Sequence, residues 1–323
     1  MPNRNMTVAW LFPGQGTQTV GMGRSLATAS KAARRVFERA DAALGWSVSR
    51  LCFEGPQDEL TLTANAQPAI VATSIAALEA LREAYPALAP PAFALGHSLG
   101  EYSALVAAGA LRLEDAVRIV HLRGKAMQQA VPEGAGAMAA VLGGDAEAVQ
   151  ALCRDAAQGE VCQAANFNAP GQIVIAGHAA AVARAAELAS QRKLKAKLLS
   201  VSAPFHCALM APAARALSEA LASIEVGALS FPVICNVDAE PNADGAKVRE
   251  QLVRQVDSPV LWEQSVRRLA REGTDRALEF GPGKVLAGLG RRIDKAIEVL
   301  GVSDPAEVET AGKLLGARAE RTD

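Results

Sequence analysis

Hydrophobic and polar positions along this chain alternate between short apolar blocks and long amphipathic stretches, the texture of strands feeding helices. The run Val8-Ala9-Trp10-Leu11-Phe12 reads as a buried strand, and Pro13-Gly14-Gln15-Gly16 ends it in a turn. Helical periodicity follows over Ser30–Leu44 and Gln67–Tyr85, and the proline-rich segment Pro86–Pro91 delivers the chain into a second apolar run, Ala92–Leu95. A helix is predicted over Glu101–Ala108 and another over Glu114–Ala130. From about Gly136 the pattern shortens: strand Ala137–Leu142, helix Asp145–Ala157, strands Val161–Asn166 and Gln172–Ala176, helix Ala179–Gln191, strand Ala196–Val201. That β-α-β-β-α-β order matches a ferredoxin-like unit. The fold class expected is therefore α/β: a large hydrolase-like domain with a parallel sheet, residues 1–130 and 204–323, carrying an inserted ferredoxin-like subdomain at 131–203. A ligand cleft is expected between the two.

Composition narrows the setting. With 323 residues, 50% of them hydrophobic, the chain can bury a large core, and its formal net charge of −1 offers no general basic surface for nucleic acid. Cys52, Cys153, Cys162, Cys207 and Cys235 show no close C-x-x-C spacing, so neither a disulfide framework nor a zinc knuckle is indicated, and a cytoplasmic setting is expected. The polar start, Met1 to Thr7, and the short apolar run after it suit neither a signal peptide nor a membrane span. A soluble monomer without metal, membrane or nucleic-acid partner is the expectation.

The strand Ala92–Leu95 runs straight into Gly96-His97-Ser98-Leu99-Gly100, and a helix leaves it. A strand, G-x-S-x-G and a helix make a nucleophile elbow, in which a sharp turn lifts the serine out of the sheet. Serine needs a base to become a good nucleophile. Of His97, His121, His178 and His206, the last is the best candidate, because Ser202-Ala203-Pro204-Phe205-His206-Cys207 follows the final strand of the insert in a stiff loop. His121 and His178 fall in or beside helices and read as packing or surface residues. His97 adjoins the serine, with its side chain expected to leave the turn in another direction. Asp115, Asp145 and Asp155 lie at or within helices rather than after strand ends, so a Ser–His pair oriented by a backbone or amide oxygen is expected in place of a full triad. An oxyanion would take one donor from the N–H of Leu99 and a second from Gln15, whose turn also follows a strand end.

On the helix Glu114–Ala130, Arg123 shares a stripe with Ala116, Val120, Met127 and Ala130. Two readings stay open there: a core arginine that snorkels or pairs with a structural acid, or a guanidinium that forks onto a substrate carboxylate. The basic run Arg192-Lys193-Leu194-Lys195-Ala196-Lys197 reads either as a solvated strand face or as a contact for phosphates or an acidic partner.

Taken together, Phe12–Gln18, Gly96–Ser103, Arg123–Gln128, Asn166–Gln172, Ser202–Met210, Val253–Gln255 with Ser258–Val260, and Glu279–Gly283 resemble the malonyl-CoA:acyl-carrier-protein transacylases and the related polyketide-synthase acyltransferases, in family order over nearly the whole chain. The resemblance implies a ping-pong transfer of malonyl from malonyl-CoA through Ser98 to the pantetheine thiol of acyl carrier protein, with no cofactor. It makes His206 the general base and acid, the backbone N–H groups of Leu99 and Gln15 the oxyanion donors, and Arg123 the clamp for the malonyl carboxylate. It also implies that the Gln255 carbonyl orients His206, and that Phe205, His97 and Asn168 line the substrate, with Phe205 crowding an α-methyl branch. The rival readings are a discrete acyltransferase serving a polyketide synthase, an acyl hydrolase that clears carriers, and a carrier-binding scaffold without activity.

Overall fold

A computed structural model describes residues 7–315. Of the polar start Met1 to Thr7 only Thr7 is described, and the end of the second expected large-domain segment, 316–323, lies outside the described residues. Ten strands run in chain order as β1 (Val8–Phe12), β2 (Phe93–Gly96), β3 (Gly136–Leu142), β4 (Cys162–Ala169), β5 (Gln172–His178), β6 (Lys195–Leu198), β7 (Val233–Ile234), β8 (Pro241–Asn242), β9 (Arg276–Phe280) and β10 (Glu298–Val302).

They form two sheets. The first has the order β10-β9-β1-β2-β7-β8, parallel throughout except for the β7–β8 pair at its edge. Its centre is β1, whose unbroken apolar sequence suits a strand covered on both faces by helices. Trp10 on β1 meets Phe231 and Phe280 edge-on, each at 5.5 Å between ring centroids. Because β1 lies between β2 on one side and β9 on the other, the connections diverge around it, and a crevice opens at its carboxyl end. Gln15 and Ser98 both follow strands that end there.

The second sheet, β4-β5-β3-β6, is antiparallel and carries the helices Ala146–Ala157 and Ala179–Gln191. Val149, Leu152, Val182 and Ala185 of those helices bury against Val141, Ile173 and Ile175 of the strands. With its first and third strands central, this is the ferredoxin-like order, so the expected α/β class with a ferredoxin-like companion sheet is found.

Differences from the sequence reading are local and have physical causes. The second long helix spans Thr63–Ala84, starting four residues before the expected Gln67 and running through Pro68. Pro68 has no N–H to give the carbonyl of Ala64 one turn back. His121 takes up that orphaned oxygen at 2.7 Å from Nδ1, which accounts for its place on the neighbouring helix Leu113–Gln129. Strand β6 is shorter than the expected Ala196–Val201, since β3 offers it partners only from Ala139 to Leu142. Of the basic run, Lys195 and Lys197 lie exposed on β6, while Lys193 sits before it in a left-handed turn (φ 60°).

Candidate active site

The elbow is built by steric necessity. A Cβ on Gly96 would lie 1.9 Å from the carbonyl carbon of Gly100, and one on Gly100 would lie 2.0 Å from the carbonyl oxygen of Phe12. Only glycine lets the new helix Gly100–Ala107 start this close to β1 and β2. Ser98 is held at φ 50°, a left-handed conformation that is costly for a residue with a side chain. Asn236, just beyond β7, holds it there: its Oδ1 accepts from the Ser98 N–H at 2.6 Å, and its Nδ2 donates to the Gly96 carbonyl at 2.7 Å.

Ser98 Oγ lies 2.7 Å from His206 Nε2, and His206 Nδ1 lies 2.8 Å from the carbonyl oxygen of Gln255 on the helix Gly245–Asp257. The carbonyl can only accept, so the proton sits on Nδ1 and Nε2 is free to accept from the serine. Burial, aided by the Arg123 cation, pushes the His206 imidazole down to about 3. It is therefore neutral at physiological pH. No carboxylate stands behind it among the described residues, in line with the missing acid in the sequence.

Arg123 is 2% exposed, and among the described residues no acid lies in salt-bridge contact with it. Its Nη1 donates to Gln67 Oε1 at 2.9 Å, and its Nη2 donates to Gln255 Oε1 at 2.9 Å and to Ser98 Oγ at 3.1 Å. The Tyr102 ring lies beneath it, 5.6 Å from the guanidinium carbon, and its Nε–H has no acceptor. A charge buried this deeply without a counter-ion is costly unless an anion arrives to meet it. Of the two readings of Arg123, the core arginine paired with a structural acid is not the arrangement found.

The side chain of Gln15 donates to Thr63 Oγ1 at 2.9 Å and is not aimed at Ser98. Its backbone N–H and that of Leu99 have no acceptor among the described residues, which leaves both available to an oxyanion at the mouth of the elbow. A cavity of about 410 Å³ opens in front of Ser98, lined on its walls by Arg123, His206, Phe205, His97 and Asn168. His97 does leave the turn away from Ser98: its Nε2 meets Asn168 Oδ1 at 2.8 Å and its ring packs on Trp262. Phe205 is half-buried beside the histidine. His178, by contrast, ends β5 and accepts at 2.9 Å from the N–H of Val161, at the entrance to the neighbouring strand β4.

Three residues at the site carry no role in the sequence reading: Gln67, Glu101 and Asn236. Glu101 is 2% exposed, and burial raises its carboxyl to about 7. Gln67 and Glu101 do leave a trace in the sequence, each being a long polar side chain in a helical stretch of mainly small and apolar residues, Ala66–Leu78 and Gly100–Leu105. Asn236 leaves none, since an asparagine after a short strand is ordinary turn chemistry. Among the described residues no group of three or more His, Cys, Asp or Glu side chains could hold a metal ion, and no helix is long and apolar enough to cross a membrane.

The model of the acyl transferase domain family matches residues 9–313. The malonyl CoA-acyl carrier protein transacylase of Bacillus subtilis (strain 168) is 48% identical over 310 residues, which cover 95% of this chain and 97% of that protein. The crystal structure of an acyl-carrier-protein S-malonyltransferase from Bartonella henselae is similar at a TM-score of 0.94 and 46% identity, over 97% of this chain and 100% of that one. A malonyl-transacylase solved in complex with its type II PKS acyl-carrier protein is similar at a TM-score of 0.92 and 43% identity, over 95% and 99% of the two chains. The chain belongs to the malonyl-CoA:acyl carrier protein transacylase family and is an acyltransferase.

Proposed function

We propose that this protein moves a malonyl group from malonyl-CoA to the pantetheine thiol of acyl carrier protein in two half-reactions through a malonyl ester on Ser98. The observation that carries this reading is the meeting of two groups on one oxygen: Ser98 Oγ lies within hydrogen-bond reach of a neutral imidazole and of a buried guanidinium with no acid in salt-bridge contact. In the first half-reaction Ser98 Oγ attacks the thioester carbonyl while His206 Nε2 takes its proton, with the Gln255 carbonyl stabilising the imidazolium through Nδ1. The oxyanion is held by the N–H groups of Leu99 and Gln15, and its collapse expels the CoA thiolate, which recovers the proton from His206. The second half runs in reverse order: the carrier thiol gives its proton to His206, attacks the ester carbonyl, and the Ser98 oxygen leaves and is reprotonated.

Arg123 takes the malonyl carboxylate, so that the charge the fold buries at a cost is met by substrate. Phe205, His97 and Asn168 shape the rest of the acyl cavity. The sheet β4-β5-β3-β6 supports an insert at 131–203 in a catalytic domain made from 1–130 and 204–323, with the cavity at their junction. Mass spectrometry after incubation with malonyl-CoA tests the reading: a malonyl adduct on Ser98, discharged by carrier thiol, supports it, and an adduct elsewhere overturns it.

The likeness to the transacylase solved with a type II PKS carrier favours a second reading of the acceptor alone, in which a polyketide carrier replaces the fatty-acid one. Relative transfer rates to the two carriers decide between them. A carrier-clearing hydrolase has no use for a carboxylate clamp, and rapid thioester hydrolysis without a thiol acceptor is the result that would favour it.

A further inference from the structure

Gln255 does more at this site than offer a backbone carbonyl. Its side-chain amide is completely buried and makes three bonds: Oε1 accepts from Arg123 Nη2 at 2.9 Å, and Nε2 donates to the Ser98 carbonyl at 3.0 Å and to Glu101 Oε2 at 2.7 Å. The two ends of an amide are nearly the same shape, so its neighbours decide which way it points. If it turned over, its NH2 would face the guanidinium, donor against donor, and its oxygen would face the Ser98 carbonyl, acceptor against acceptor. Glu101 weighs against that. It sits three residues after Ser98 on the helix the elbow starts, and its Oε2 is fixed in turn by the Asn236 N–H at 3.1 Å. Asn236 is the same residue whose side chain holds the Ser98 N–H.

From this chain of contacts we propose that Glu101 is a positioning residue for acyl-group selection: it locks the Gln255 amide with its oxygen toward Arg123, and so keeps the guanidinium aimed at the place where the substrate carboxylate binds. Glu101 touches no reacting atom. An acid in direct contact with Arg123 would occupy the donors a malonyl carboxylate needs, and the substrate would have to displace it. With one amide interposed, Arg123 is steered by an acid without being paired to it. The lock uses Glu101 as an acceptor, which a neutral amide of the same length also supplies.

The inference rests on the proposed acyl transfer through Ser98, so the test begins by locating the wild-type adduct. A label absent from Ser98 defeats that transfer reading, whereas a label on Ser98 with unaltered selectivity in the variants defeats only the role of Glu101. Loading of Ser98 from malonyl-CoA and from acetyl-CoA is measured for wild type, Glu101→Met and Glu101→Gln, with kcat and KM separated. Glu101→Met is expected to lose about 30-fold in kcat/KM for malonyl, mostly through KM, and less than about threefold for acetyl, the scale of one misdirected hydrogen bond to a charged group. Glu101→Gln is expected to restore malonyl loading to within about threefold, as the acceptor is kept. Parallel losses with both acyl groups would mean a merely structural residue, and an equally impaired Glu101→Gln would mean that the charge matters and the acceptor does not. Either result overturns the proposal. Where Glu101→Met fails to fold, Gln255→Met breaks the same link while leaving the backbone carbonyl on His206. It also takes a bond from the Ser98 carbonyl, so loading falls with both acyl groups, but malonyl is expected to lose about tenfold more than acetyl, and an unchanged malonyl-to-acetyl ratio overturns the proposal as well.

Discussion

Replacing Arg123 by methionine removes the charge while keeping most of the length and apolar volume of the side chain, so the helix Leu113–Gln129 stays packed. Three bonds go with the guanidinium, to Gln67, Gln255 and Ser98 Oγ. Two of the partners are the amide oxygens of Gln67 and Gln255, which lose this donor at a cost to folding stability; the ratio of two substrates on the folded variant isolates what the guanidinium does for the acyl group. A desolvated, charge-assisted pair with a malonyl carboxylate contributes about 2–5 kcal/mol, which is about 30-fold to several-thousand-fold in kcat/KM. Acetyl-CoA has no carboxylate to lose. Its loading is expected to change by at most about tenfold, through the lost bond to Ser98 Oγ. The assay is single-turnover release of CoA from malonyl-CoA and acetyl-CoA under the same conditions, read as the ratio of the two. A collapse of the malonyl-to-acetyl ratio by about 30-fold or more is the expected outcome. If Arg123→Met lowers both rates together and leaves the ratio unchanged, the guanidinium serves the nucleophile and not the acyl group, and the clamp is refuted.

Gly100→Ala places a methyl 2.0 Å from the Phe12 carbonyl, a backbone atom that cannot swing aside, so loss of soluble, active protein is expected; the same change at Gly16 meets nothing within 4 Å and is expected to cost only about 1 kcal/mol of backbone strain in a urea titration. Phe205→Leu is expected to narrow the preference for malonyl- over methylmalonyl-CoA by about 10-fold or more, since one methyl in a pocket counts for about 1–3 kcal/mol; an unchanged ratio of loading rates would remove Phe205 from the selectivity argument. Because the His206 imidazole is held down at about 3 against an ordinary 6.5, the neutral form is favoured by the fold. Its contribution to stability is complete above pH 6.5 and is lost as pH falls toward about 3, and the acylation rate is expected to show no imidazole limb between about pH 8 and 5. A rate that halves near pH 6.5, and does so regardless of the acyl donor, would contradict that environment for His206.

What the sequence reveals and what it hides divide along the range of the interactions involved. The elbow is legible because its cause is local: two glycines four residues apart, an apolar run before them and a helical pattern after them specify the turn with no help from elsewhere. The same holds for the helix Ala179–Gln191 and for β1, whose bounds match the sequence reading residue for residue. Arg123 is half legible, because a periodic stripe shows that it faces inward but not what it meets there. Gln255 could be tied to His206 only through resemblance to a family, since the two lie 49 positions apart with no pattern between them that brings them together. Asn236 is the limiting case. Asn236 reaches Ser98 across 138 positions and β7 pairs with β2 over just two residues, Ala94 with Val233 and Leu95 with Ile234. A two-residue strand has no periodicity to detect, yet that short pairing sets Asn236 against the elbow and, through its N–H, fixes Glu101. The nucleophile is thus written in contiguous residues, while Asn236, Glu101 and Gln255, on which the proposed choice of an acidic acyl group rests, reach it through tertiary pairing.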